Sequence, residues 1–279
     1  MPSAAPGAPS TASADIRSAA PAVPSAWRLL PRRMLTLCRV ELEKLRHDRT
    51  ELYTRAIQPA LWLLIFGKTF TRLRAIPTGN IPYLAYLTPG ILAQSALFIA
   101  IFYGIQIIWE RDAGILAKLL VTPTPRSALV AGKAFAAGVR ALCQVVVVLV
   151  LSMLLGVTLT ANPVRILGTV VLVLLGAGFF SCLSMVIAGV VLSRERLMGV
   201  GQAITMPLFF GSNALYPVAL MPGWLRVISR VNPLSYEVDG LRGLLIGTHA
   251  ALATDFAVLA VAVVAAVFGA AALLGRLAR

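Results

Sequence analysis

The sequence predicts an all-α integral membrane protein. Six transmembrane helices follow an N-terminal amphipathic interfacial helix, with re-entrant outer helices between spans five and six. Three observations carry this prediction. Apolar runs of about 20 residues recur along the chain, each long enough to cross a ~30 Å hydrocarbon core. Only 13% of the residues are charged, about half of what a water-facing surface carries. Those charges cluster between the apolar runs, in connections that alternate between rich and poor in Arg and Lys.

Residues 1–26 are rich in Ala, Pro and Ser and have no apolar h-region. They read as a disordered tail rather than a signal peptide. Residues 27–55 interleave Arg28, Arg32, Arg33, Arg39, Lys44, Arg46, Arg49 and Arg55 with Leu29, Leu30, Leu35, Leu37, Val40, Leu42 and Leu45. A helix of that composition lies in the membrane interface, its Leu side in lipid and its Arg side on anionic headgroups. Residues 56–279 then form the six-span domain, with spans expected at 56–72, 83–108, 134–160, 164–192, 197–216 and 255–275. Ala161-Asn162-Pro163 makes the tight turn between the third and fourth. Pro59, Pro89 and Pro207 fall inside spans and mark expected bends.

The net charge is +14, from 21 Arg, 4 Lys and 11 acidic residues. Spread between spans, this excess sets topology and is not the footprint of a nucleic-acid-binding protein. With the N-terminus inside, the inner segments hold seventeen Lys and Arg and the outer segments seven. Both termini are therefore expected on the cytoplasmic side of the cytoplasmic membrane. The preference for Arg over Lys fits a GC-rich bacterial genome. Cys38, Cys143 and Cys182 are too scattered for a disulfide framework or a metal site.

Two connections stand out. In the inner one, Glu110 to Arg126, the residues Ile115, Leu116, Leu119 and Leu120 fall on one face of a short helix that Pro123 and Pro125 stop. Ser127 is the expected N-cap of the next helix. The outer one has two parts. Trp224, Leu225, Ile228 and Val231 form an apolar stripe; then Asn232 caps a helix with Pro233 at its first position. Leu234, Val238, Leu241 and Leu245 line one face of that helix, and Glu237, Asp239 and Arg242 the other. Neither part is long enough to span, so the pair is expected to dip partway in from outside.

The inner pattern Glu-Arg-acid-x-Gly-x-Leu-x-x-Leu-Leu-x-x-Pro-x-x-Arg, with Gly132-Lys133 opening the next span, resembles the type-2 ABC exporter permeases of the daunorubicin-resistance-like family. Pro125 stands where that family carries a small polar residue. The outer pattern Pro-x-Trp…Asn-Pro-Leu-x-Tyr…Arg resembles the same family, with Met221 in place of Leu. The resemblance covers residues 28–279. It implies that Glu110, Arg111, Asp112, Gly114, Leu116, Leu119, Leu120, Pro123 and Arg126 form a helix coupled to an ATPase subunit. It implies an outer gate built on Trp224, Asn232, Pro233, Leu234, Tyr236, Glu237 and Arg242. It also implies a second permease copy or close relative as partner.

No Gly-x-x-x-x-Gly-Lys-Ser/Thr occurs: Gly132-Lys133 is followed by Ala134, and Ser127 stands at the first glycine position. The chain is thus expected to hold no cofactor of its own, with ATP and Mg on the partner ATPase. The predicted spans carry uncharged polar groups, of which Gln94, Gln106 and Asn213 are candidates to line a path. An amphiphilic cargo, whether drug, lipid or lipid-linked glycan, suits such walls. The rival classes each lack a feature. A proton-driven exporter needs a chain of buried carboxylates. A membrane-embedded transferase needs convergent polar groups, and His47 and His249 lie far apart in sequence.

Overall fold

The computed structural model describes residues 43, 49–73, 76–79, 81–121 and 125–277. The expected tail, most of the interfacial helix and Pro123 lie outside them. Among the described residues there is no strand. The elements are α1 (Arg49–Leu61), a π-helical turn (Trp62–Gly67), α2 (Lys68–Leu73), α3 (Tyr83–Asp112), α4 (Ile115–Val121), α5 (Arg126–Leu154), α6 (Pro163–Val191), α7 (Arg194–Phe210), α8 (Gly223–Val231), α9 (Pro233–Ile246) and α10 (Leu252–Leu277). Four of them, α3, α5, α6 and α10, are long and apolar enough to cross a membrane.

Several expected boundaries move, each for a local reason. No break separates the interfacial segment from the first apolar run at 55/56, because one continuous helix covers 49–73. Pro59 lies inside it and donates no backbone N–H; the helix widens into π geometry three residues later. The third apolar helix begins at Arg126, not at 134. Pro125, extended at φ −60° and ψ 140°, takes the cap position, and Ser127 is already helical. The fifth ends at Phe210 instead of 216. There Gly211-Ser212-Asn213 competes with the helix: Ser212 donates to the Phe209 carbonyl at 2.7 Å and accepts from the Ala214 N–H at 3.2 Å. Asn162 behaves as a cap, accepting from the Val164 N–H at 2.9 Å with Pro163 at the first helical position.

α3 is the central element. Its most apolar stretch is 78% buried, against 17% for α10, so α10 is a rim helix whose sides are open to lipid. α3 packs on α5, α6, α7 and α9, and α6 packs on α10. Two apolar clusters fill the bundle. One centres on Leu92, Leu97, Leu172, Phe180 and Phe209. The other centres on Ile108, Leu116, Val130, Met185 and Leu274.

Hydrogen bonds sort the connections between two ends. At one end Arg111 donates to the Leu192 carbonyl at 3.0 Å, bringing the α3–α4 turn to the α6–α7 corner. At the other, Thr160 N–H bonds the Leu245 carbonyl at 3.0 Å and the Tyr83 hydroxyl bonds the Leu215 carbonyl at 3.0 Å. The α5–α6 turn, the start of α3, the 211–216 corner and the end of α9 therefore share an end.

Candidate functional site

The two connections singled out by sequence occupy opposite ends of this bundle. At the first, α3 ends at Asp112 and Gly114 turns the chain at φ +69°, a left-handed conformation that a side chain makes unfavourable. The turn releases α4 in a new direction. Leu116 is 1% exposed and sits among Ile108, Val130, Leu197 and Leu274. It is a root for α4, not part of a free face. Leu119 is half-buried, while Ile115 is 48% and Val121 87% exposed. The apolar face expected of Ile115, Leu116 and Leu119 is thus divided between an anchor and a surface.

The charges here are already engaged within the chain. Glu110 receives both its hydrogen bonds from the Lys133 ammonium, at 2.5 Å, which clamps α3 to α5. Arg111 pairs with Asp112 at 2.9 Å besides reaching the Leu192 carbonyl. Leu192 itself sits at φ +56°, an uncommon conformation for a branched residue. Arg126 is exposed at the start of α5. Lys133 belongs in sequence to the Gly132-Lys133 pair that follows the loop motif; Leu192 is the member of this end that the motif does not include. Leu192 has no signal in sequence.

The opposite end is organised by Arg242. Sequence placed Glu237, Asp239 and Arg242 on a polar face of α9; the structure buries two of the three. Arg242 is 4% exposed. Its guanidinium donates to the Asn213 carbonyl at 2.6 Å, the Ala214 carbonyl at 3.1 Å and the Tyr86 carbonyl at 3.3 Å. It lies 3.7 Å from the centroid of the Tyr86 ring and 3.6 Å from an Asp239 oxygen. Asn213 donates in turn to Asp239 at 2.6 Å. One cation thereby joins α9, α3 and the 211–216 corner.

The α8–α9 hairpin is tied to itself and to α7. Asn232 accepts from the Leu234 N–H at 3.0 Å and donates to the Leu208 carbonyl at 2.7 Å. Pro233 starts α9, Leu234 is fully buried, and Tyr236 donates to the Arg230 carbonyl at 2.7 Å. Ser229 and Ser235 share a hydrogen bond of 3.0 Å between the helices. Trp224 is 67% and Val231 74% exposed, so the apolar stripe of α8 faces outward. Glu237 is fully buried with neither carboxyl oxygen bonded. It lies on Gly176 of α6, where an added Cβ would run into the carboxyl. Asp255, at the start of α10, is also buried at 4%. The predicted spans are expected to carry uncharged polar groups; among the described residues two acidic side chains are nonetheless buried, one from the short helix α9 and one from the first turn of α10.

The three candidate path residues do not form one site. Gln94 lines a groove with Gln58 and Gln144. Gln106 lies three turns further along α3, roughly 18 Å away at about 1.5 Å per residue. Asn213 is consumed by the Arg242 network. Among the described residues no cluster of His, Cys, Asp and Glu is placed to hold a metal ion.

A bundle of long apolar helices, with a short anchored helix at one end and a clasped helical hairpin at the other, defines a polytopic membrane protein. Residues 32–246 match the ABC-2 type transporter family, and the chain belongs to that family as a permease. It is 31% identical to the putative transport permease ycf38 of Cyanophora paradoxa, over 71% of this chain and 69% of the relative. It is 27% identical to the daunorubicin resistance ABC transporter permease protein DrrB1 of Streptomyces coeruleorubidus, over 73% and 71%. It is 26% identical to the probable doxorubicin resistance ABC transporter permease protein DrrC of Mycobacterium tuberculosis, over 68% of each.

Two outcomes are expected at the outer corner. Arg242→Ala removes three hydrogen bonds to buried carbonyls and is expected to destabilise the protein by about 3 kcal/mol or more. Arg242→Lys should recover only part of this, because an ammonium lacks the planar fork; thermal unfolding in detergent measures both. Glu237 lies on α9, outside the four membrane-crossing helices, and burial holds its carboxyl well above the ordinary value of 4.5. Above 4.5 the folded protein therefore keeps a proton that the unfolded chain releases, and stability falls as pH rises from 4.5 towards the folded value. Glu237→Gln removes this slope. Its unfolding temperature relative to the parent should be higher at pH 8 than at pH 5, and equal shifts at both would show that the carboxyl ionises in place.

Proposed function

We propose that this permease carries an amphiphilic cargo, a drug, lipid or lipid-linked glycan, outward across the cytoplasmic membrane. Energy comes from ATP, bound with Mg on a separate ATPase subunit, and the permease works beside a second copy or close relative. The single observation that carries this reading is α4: a short helix rooted by Leu116, presenting Ile115 and Val121 outside the bundle. The relatives' daunorubicin and doxorubicin names favour a drug-like amphiphile. In this reading the continuous helix 49–73 and α7 complete six crossings, and the Arg-rich α4 end is cytoplasmic together with both termini.

The geometry supports a path for the work. Glu110, Arg111, Asp112, Gly114, Leu116, Leu119, Leu120, Pro123 and Arg126 form the coupling segment against the ATPase. A push on α4 reaches α3 and α5 through Leu116 and the Glu110–Lys133 pair, and the α6–α7 corner through Arg111. At the outer end, Asn232 and Arg242 make the α8–α9 hairpin follow α7 and α3. Trp224, Pro233, Leu234, Tyr236 and Glu237 belong to that same gate element.

Two measurements test this reading. Burying Ile115 and Val121 in an ATPase groove contributes about 1.5–3 kcal/mol each. The double variant Ile115→Asp/Val121→Asp should therefore keep wild-type unfolding in detergent yet lose co-purification of the ATPase at least tenfold. Full retention of the ATPase and of export would remove α4 from the coupling role. For topology, Cys38, Cys143 and Cys182 are first replaced by Ala. A membrane-impermeant maleimide should then label Arg230→Cys in intact cells and Lys118→Cys only after permeabilisation. The reverse pattern would invert the orientation.

A further inference from the structure

Midway along α3, the amide of Gln94 is 2% exposed and its Nε2 has no hydrogen-bond partner. It lies eleven residues from Tyr83 and eighteen from Asp112, so it sits roughly 16 Å and 27 Å from the helix ends at about 1.5 Å per residue. At that depth water does not compete, and an orphaned amide donor in hydrocarbon is unfavourable by several kcal/mol. Such a group calls for an explanation. Gln94 is also one of the residues that wall a groove of about 360 Å³ between α1, α3 and α5, with its amide just beneath the surface.

The walls of the groove state what it takes. Gln58 and Gln144 lie on it beside Gln94 and Ser95. The Ser95 hydroxyl is already given to the Ile91 carbonyl at 2.8 Å. Phe98 and Phe102, stacked at 6.5 Å between centroids, make an apolar flank, and Phe102 is 40% exposed. Among the described residues no Asp, Glu, Lys, Arg or His lines it. A charged headgroup would enter without a counter-charge, which is strongly disfavoured in hydrocarbon. The volume is at the small end of ligand sites, enough for one ring or headgroup with its tail left in the bilayer.

We propose that the α1–α3–α5 groove binds the uncharged, hydrogen-bond-accepting headgroup of an amphiphile, with Gln94 Nε2 as the donor that the ligand satisfies. Two sources share this chemistry, a lipid of the surrounding bilayer and the exported cargo. The second source rests on the exporter reading above; the binding site itself does not.

The test places the full chain in nanodiscs with a diazirine-tagged monoacylglycerol. A diazirine-tagged alkyl-trimethylammonium of equal chain length is the control. Adducts are mapped by peptide mass spectrometry. The monoacylglycerol is expected to label segments 54–59 and 94–102 at least fivefold above the lipid-facing stretch 261–268 of α10, and the ammonium probe is expected to show no such preference. Excess untagged monoolein should suppress the groove adducts and spare those on α10, a result that needs no variant. Gln94→Leu removes the orphan amide at similar size; it should unfold no lower than the parent and lose the preference at least fivefold. Equal labelling of groove and α10, the same pattern from both probes, or unchanged labelling in a folded Gln94→Leu would each overturn the proposal. In the complex with its ATPase, saturable stimulation of ATP hydrolysis by monoolein that Gln94→Leu abolishes assigns the site to cargo. Labelling without stimulation assigns it to bilayer lipid.

Discussion

A guanidinium held at 4% exposure inside an apolar bundle is tolerable only if nearly every donor finds an acceptor. Arg242 meets that demand with two carbonyls that no helix is using and one from the first turn of α3. The Asn213 and Ala214 carbonyls are available because α7 has stopped at Phe210 and the chain turns. The Tyr86 ring adds its face to the same cation. The irregular corner and the buried charge therefore stabilise each other. The corner would otherwise carry unpaired carbonyls, and the charge would otherwise be unsolvated. The placement of α9, and of the α8–α9 hairpin clasped to it, depends on that exchange.

At the other end the logic is electrostatic but more exposed. Glu110 and Lys133 lie 23 residues apart and are brought together across the α3–α4–α5 turn. Between them Gly114 redirects the chain and Leu116 returns α4 to the apolar cluster. A helix of seven residues has little stability of its own; here one buried side chain and the flanking clamp hold it. That combination leaves part of its apolar surface free while coupling its position to three longer helices.

Polar side chains inside the bundle divide into two sets. Arg242, Asp239, Asn232 and the amide nitrogen of Asn213 are held in hydrogen bonds that tie elements together. Gln94 and Glu237 retain unbonded atoms. Glu237 is enclosed against Gly176, whose missing side chain makes room for it, while Gln94 faces a groove. The same lack of a partner thus has different settings: a carboxyl whose affinity for its proton is raised by burial in one place and an amide in a groove wall in the other.

Sequence by itself determined the membrane class, the helical elements and the two special connections, because length, hydropathy and charge are local properties read along the chain. Asn162-Pro163 and Asn232-Pro233 were legible as helix starts for the same reason, since a cap acts on its own next turn. The helix end at Phe210 and the start at Arg126 were less legible. The apolar signal runs smoothly past the first, and Pro125 rather than Ser127 sets the second. What only the tertiary structure decided is which polar residues face inward and whom they meet. Helical periodicity put Glu237 and Arg242 on a polar face, yet α9 is packed on both sides, so that face is interior. It likewise grouped Leu116 with Ile115, although one is an anchor and the other is exposed. Gln94, Gln106 and Asn213 looked equivalent as uncharged groups in apolar runs. Only the packing of α1, α3 and α5 gives Gln94 a groove, and only the corner beside α9 commits Asn213 to structure. Contacts between residues distant in sequence carry no signature in a single chain, and here they separate the structural residues from the available ones.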